Sequence, residues 1–196
     1  MVIIISLITV VGRTYFPLFI SVNVSKIEKF LLKNKQNPLY FFVYSTANNL
    51  NSEAEESYIK ILIKYKNSSR QAIYKTAYAI YKKDTFGANA NVHLIKQKEY
   101  RQYYQALIAI LEGDMSKARL VADKINSIWM RETILAETYE KEGDIDKATE
   151  YAISALVKTR GVQRYSLYKN FEHLIERIDV GNELYVKVFR KNSHVS

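Results

Sequence analysis

Gly113-Asp114-Met115-Ser116-Lys117-Ala118 returns as Gly143-Asp144-Ile145-Asp146-Lys147-Ala148, with Gly, Asp, Lys and Ala each recurring 30 positions on. Self-similarity at a fixed period of this length indicates stacked helical hairpins, each of which buries its apolar face only against its neighbours. Within the turn, glycine takes the left-handed backbone that ends one helix. Aspartate then caps the next, accepting an orphan amide at the positive end of the helix dipole. The unit from Trp129 to Thr159 carries Leu135, Ala136 and Tyr139 before the turn and Ala148, Ala152 and Ala155 after it, at three- and four-residue spacing. Ala136 and Ala148 are small where two helices must approach closely.

These residues resemble the tetratricopeptide repeat, which pairs a small residue in its first helix with an aromatic one turn on, a Gly-Asp turn, and alanines in its second helix. Ala136, Tyr139, Gly143, Asp144, Ala148 and Ala155 stand at those places, whereas Glu132, Ala152 and Arg160 replace a large aromatic, a bulky residue and a proline. The neighbouring unit, Glu99 to Ile128, keeps Ala106, Gly113, Asp114, Ala118 and Ile125 but has Gln105 and Ala109 where the family prefers Leu and Tyr. A period of 30 residues is shorter than the family's ~34, so the connections must be tight.

Working outward, a step of 30 back from Asp114 and Ala118 lands on Asp84 and Ala88, inside a unit from Ser69 to Lys98. There Tyr74, Tyr78 and Tyr81 form an i, i+4, i+7 stripe expected to face the core, with Lys75 and Lys82 on a solvated face. A fainter hairpin runs from Pro38 to Tyr65 and holds Ala54. Leu167, Phe171, Leu174 and Ile178 continue a helical pattern that would cap the far end. The expected fold is all-α, a tetratricopeptide-like solenoid of about four hairpins over residues 38–178, followed by a tail at 179–196.

Composition agrees with a helical array. Of 196 residues, 48% are apolar and 25% charged, and only two prolines and six glycines interrupt the chain. The absence of cysteine removes disulfides, thiol nucleophiles and thiolate metal sites together. The net charge of +9 is uneven: residues 26–110 carry 14 Lys/Arg against 6 Asp/Glu, and residues 111–159 carry 7 against 10.

The basic excess follows an apolar amino terminus. From Met1 to Val24 the only charged side chain is Arg13, and 24 residues of helix are long enough to cross roughly 30 Å of hydrocarbon. Arg13 costs about 2.5 to 3.5 kcal/mol on insertion, against ~0.3 to 0.6 gained by each Ile, Leu, Val or Phe. Two readings stand: residues 1–24 form a transmembrane anchor, or they dock on the repeats. In the first, residues 25–37 are a basic juxtamembrane linker. Lys26, Lys29, Lys33 and Lys35 then place the repeats on the cytoplasmic side of the cell membrane.

No Gly-rich phosphate loop, nucleophile elbow or zinc spacing occurs. His93, His173 and His194 form no local metal or acid–base motif, so a non-enzymatic protein without cofactor, metal or evident small-molecule substrate is expected. The basic, tyrosine-rich stretch from Lys64 to Lys83 argues poorly for nucleic acid, because helical spacing separates its aromatics from its cations. The resemblance implies instead a protein or peptide partner on a concave face built by the first helices. That face would hold Tyr100, Tyr103, Leu107, Ile110 and Leu111 at its centre, flanked by Arg70, Ile73 and Tyr81 on one side and Met130 and Glu137 on the other. An apolar, aromatic centre with a polar rim suits an amphipathic helix or an extended peptide. The same stretch, apolar nearly all round from Tyr103 to Leu111, also reads as a central helix buried by its own chain.

Overall fold

Helices are the only regular elements in the computed structural model, which describes residues 20–177. In chain order they are α1 (Val24–Lys33), α2 (Pro38–Ala47), α3 (Asn51–Lys64), α4 (Ser68–Tyr81), α5 (Thr85–Val92), α6 (Lys98–Leu111), α7 (Met115–Ala122), α8 (Ile128–Glu142), α9 (Ile145–Val157) and α10 (Gly161–Ile175). The pairs α2/α3, α4/α5, α6/α7 and α8/α9 are hairpins, each packed on the next.

One turn geometry builds all four. Asn49, Lys83, Gly113 and Gly143 have φ of 55°, 56°, 81° and 84°. The following residue donates its amide back across the turn, Leu50 to Ser45, Asp84 to Ala79, Asp114 to Ala109 and Asp144 to Tyr139, at 2.8 to 2.9 Å. These are Schellman closures, which satisfy carbonyls that the helix end would otherwise leave orphaned. The Oδ1 atoms of Asp84, Asp114 and Asp144 then accept from the amides of Gly87, Lys117 and Lys147 at 2.9, 2.9 and 3.2 Å. Side-chain contacts repeat as well: Asn89 donates to Glu112 at 2.7 Å, and 30 residues on Arg119 pairs with Glu142.

Ala54, Ala88, Ala118 and Ala148 are each fully buried where the second helix of a hairpin meets the first, as are Ala106 and Ala136 on the facing helices. The tyrosine stripe of α4 is not the core. Ser69, Ala72, Thr76 and Ala79 are the buried residues there, because only small side chains fit the seam between closely packed helices. The rings lie alongside it, Tyr78 stacked on Tyr58 at 4.2 Å and Tyr74 on Tyr65 at 6.3 Å.

The expectation for residues 25–37 is corrected. Asn23 caps α1 by accepting the Lys26 amide at 2.9 Å. Ile27, Phe30 and Leu31 turn inward, while Lys26, Lys29 and Lys33 occupy the exposed face. A juxtamembrane linker is thus replaced by an amphipathic helix of the domain. The expected membrane span lies outside the described residues except at its end, where Ser21 is buried and residues 21–23 are non-helical. Among the described residues no helix is long and apolar enough to cross a membrane.

The last helix does more than cap the far end. Leu167, Phe171 and Leu174 pack α10 on α9, as the pattern implied, with Ile178 outside the described residues. The other side of α10 meets α1 and α2. Tyr165, fully buried, joins Ile27, Phe30 and Leu31 in one apolar cluster. Its hydroxyl donates to Glu28 at 3.1 Å and accepts from Asn48 at 2.7 Å. The Gly161 amide also donates to the Ser21 carbonyl at 2.8 Å. The two ends of the array therefore touch, and its contacts run in a closed circuit.

Candidate functional site

Because the circuit closes, the first helix of each hairpin and α10 face one another across a cavity of about 460 Å³. Its wall takes Thr46 and Ala47 from α2, Asn49 from the first turn, Ile80 from α4, Tyr103 and Leu107 from α6, and Thr133 and Glu137 from α8. Helix α10 supplies Ser166, Leu167, Lys169, Asn170 and His173. Tyr103 and Thr133 stand 30 residues apart, as do Leu107 and Glu137, so successive hairpins present the same two positions inward.

Tyr103 lies with its ring 5.6 Å from those of both Trp129 and Tyr104, tilted against the first and edge-to-face with the second. Burial raises its phenol well above the ordinary range, with Tyr104 and Glu137 adding to the effect. Burial is also the main cause that raises the Glu137 carboxyl, opposed by the hydrogen bond Asn170 donates to it. Thr133 returns its hydroxyl to the Trp129 carbonyl at 2.7 Å. Along α10, Lys169 pairs with Glu172 at 3.0 Å, and His173 meets Glu140 of α8 at 2.6 Å. This last contact joins a histidine to an acid 33 residues away, a pairing that local spacing could not reveal.

Of the residues expected on the concave face, Tyr103, Leu107 and Glu137 come together in the cavity. Ile110 and Met130, at 4% and 3% exposure, belong to the packed core. Leu111 is half-buried near the end of α6, and Tyr100 is 38% exposed at its start. Tyr81 hydrogen-bonds Asn51 at 3.0 Å beside the first turn. Ile73 packs against the apolar cluster between α4 and α6. Arg70 is exposed and lies over the Tyr65 ring at 5.1 Å, with Lys64 over the same ring at 5.6 Å. The separation of aromatics from cations inferred for this stretch thus fails at Tyr65. There the cations cover a ring face that a base would need.

The period of 30 residues could have located Thr133 from Tyr103. Nothing in the pattern announced the α10 residues, whose place depends on closure. Among the described residues no group of three or more His, Asp or Glu is disposed to hold a metal ion. No protein-family model, curated protein or solved structure matches the chain.

Proposed function

We propose that this chain is a non-catalytic, tetratricopeptide-like helical-repeat adaptor whose binding site is the cavity between α2, α4, α6, α8 and α10. The observation that carries the reading is the convergence of inward side chains from all four hairpins and α10 on one space, apolar at Ile80, Leu107 and Leu167 and polar around them. Polar side chains that converge on one space around an apolar strip can fix the orientation of a bound group. A cavity of about 460 Å³ that opens to solvent has room for a side chain or an extended peptide end, or for one face of a helix laid across its mouth.

The test is capture of partners from a lysate with the wild type and Tyr103→Ala, matched by circular dichroism. Loss of a specific partner with helicity intact supports the site. Normal capture by a folded variant refutes it.

For the amino terminus the anchor at the cell membrane, with the repeats on the cytoplasmic side, remains our proposal. The rival, a regulator whose apolar amino terminus packs on the repeats, is favoured by the Ser21 carbonyl accepting from Gly161 at the start of α10. Carbonate extraction separates them. Retention in the membrane pellet, together with a well-behaved domain after deletion of residues 1–19, fits the anchor. Release by carbonate, with aggregation of the truncated domain, fits docking.

A further inference from the structure

Lysines are gathered on one side of α1. Residues 20–52 hold four of them, Lys26, Lys29, Lys33 and Lys35, against a single acid, Glu28. At about 100° per residue, Lys26, Lys29 and Lys33 fall within a sector of roughly 60°, turned away from the buried Ile27, Phe30 and Leu31. Lys35 follows in the turn after the helix, and all four lysines are exposed. Glu28 does not neutralise them, because its carboxylate points toward α10 and accepts from Tyr165 at 3.1 Å. Of the elements packed on α1, α2 carries no charged residue, and α10 pairs its Lys169 with its own Glu172. Two apolar side chains stand out in the same region: Leu32, on the solvent side of α1, is 41% exposed, and Ile20, where the apolar sequence of residues 1–19 joins the domain, 49%.

We infer that the exposed face of α1 rests on the headgroups of an anionic bilayer, its lysines against lipid phosphates and Leu32 at the acyl boundary. The inference rests on the membrane localisation proposed above, and adds to it the surface that meets the lipid and the lipid charge it selects. Attraction of a lysine to such a surface fades within a Debye length, about 8 Å at physiological salt, so the cations act only if they are held close. Residues 21–23 separate the apolar sequence from α1, a span of at most about 10 Å. That junction is fixed to the domain, since the Ser21 carbonyl accepts from the Gly161 amide at 2.8 Å and Asn23 caps α1. Lysine suits the place, its stem lying along apolar surface while the ammonium stays at the headgroups. A nucleic acid would gain nothing from Leu32 and Ile20, and it would find no ring to stack on, because Phe30, the one aromatic of α1, is buried against Tyr40.

The full-length chain is floated with vesicles of phosphatidylcholine alone and with vesicles that also contain phosphatidylglycerol, at physiological and at high salt. Tighter binding to the anionic vesicles is expected, with the excess lost at high salt. Each lysine near such a surface is worth about fivefold in affinity, so Lys26→Gln, Lys29→Gln and Lys33→Gln combined should remove about a hundredfold. Lys66→Gln, Lys82→Gln and Lys96→Gln combined, three exposed lysines elsewhere, change the net charge equally and should leave binding nearly unaltered. Where the apolar amino terminus holds the chain on every vesicle, lysine acylation read by mass spectrometry decides: Lys26, Lys29 and Lys33 should react more slowly on anionic than on neutral vesicles, and Lys66, Lys82 and Lys96 at the same rate on both. Equal losses from the two triple variants, or equal acylation of the α1 lysines on both vesicles, overturn the inference. So does tighter binding of a single-stranded RNA than of anionic vesicles, which would assign the face to nucleic acid. Retention after carbonate alongside any of these results leaves the anchor standing, whereas release by carbonate with the anionic preference intact sinks the anchor and keeps the lysine face.

Discussion

Ala148→Leu tests the hairpin seam most directly. Ala148 is fully buried on α9 against the helix α8 that carries Ala136, and both belong to one cluster with Ala152, Ala155, Leu156 and Phe171. Leucine adds three carbons to a site already in contact on all sides. Overpacking of a well-filled core costs about 1 to 3 kcal/mol. For a domain of this size each kcal/mol lowers Tm by about 2 to 4 °C, so a drop of roughly 2 to 12 °C is expected. Glu150→Leu, the same new side chain two residues along α9 at an exposed position, serves as the control. A surface change of that kind stays within about 0.5 kcal/mol. Calorimetry and urea unfolding followed by circular dichroism measure both, with an unchanged m-value showing that stability alone has moved. Equal melting of the two variants would refute the close approach of α8 and α9 at this alanine.

Three further outcomes are expected. Lys83→Gly should stabilise the domain and Gly143→Ala destabilise it. Lys83 holds φ of 56° with a side chain, and Gly143 holds 84° with nothing near its missing Cβ. The left-handed backbone costs a non-glycine residue about 1 to 2 kcal/mol, and glycine returns roughly half of that as lost chain freedom; opposite Tm shifts check the pair. Glu137→Gln should be more stable than wild type at neutral pH. The folded carboxyl is raised, so the native state holds the proton more tightly and wild-type stability falls as pH rises through the folded-state value. Denaturant curves should converge on the acid side of the glutamate range, and a gap that widens there would contradict the burial of this carboxyl. Tyr165→Phe removes the hydroxyl shared by Glu28 and Asn48 and should cost about 0.5 to 1.5 kcal/mol. It should also speed proteolysis between α1 and α2, and an unchanged digestion pattern would argue that closure does not depend on that bridge.

The chain's local order was legible because hairpins are local objects. A glycine, an aspartate and a set of alanines recurring every 30 residues specify a turn, a cap and a seam, each made by residues close in sequence. That was enough to place four hairpins between residues 38 and 159. It was not enough where chemistry and geometry disagree. Asn49 and Lys83 adopt the glycine backbone because the Schellman hydrogen bonds and the packing on either side outweigh its local cost to a residue with a side chain. The tyrosines of α4 carry the more conspicuous periodicity, yet its small residues fill the seam, since the distance between helix axes decides what fits. Closure was out of reach altogether. Whether α10 meets α1 and α2 depends on a rotation accumulated over every hairpin, to which no single turn contributes decisively. The cavity inherits that dependence: Tyr103, Leu107 and Glu137 could be placed on an inward face from their helices alone. The tertiary structure alone decided that α10 stands opposite them, that His173 of α10 meets Glu140 of α8, and that Asn170 donates to Glu137.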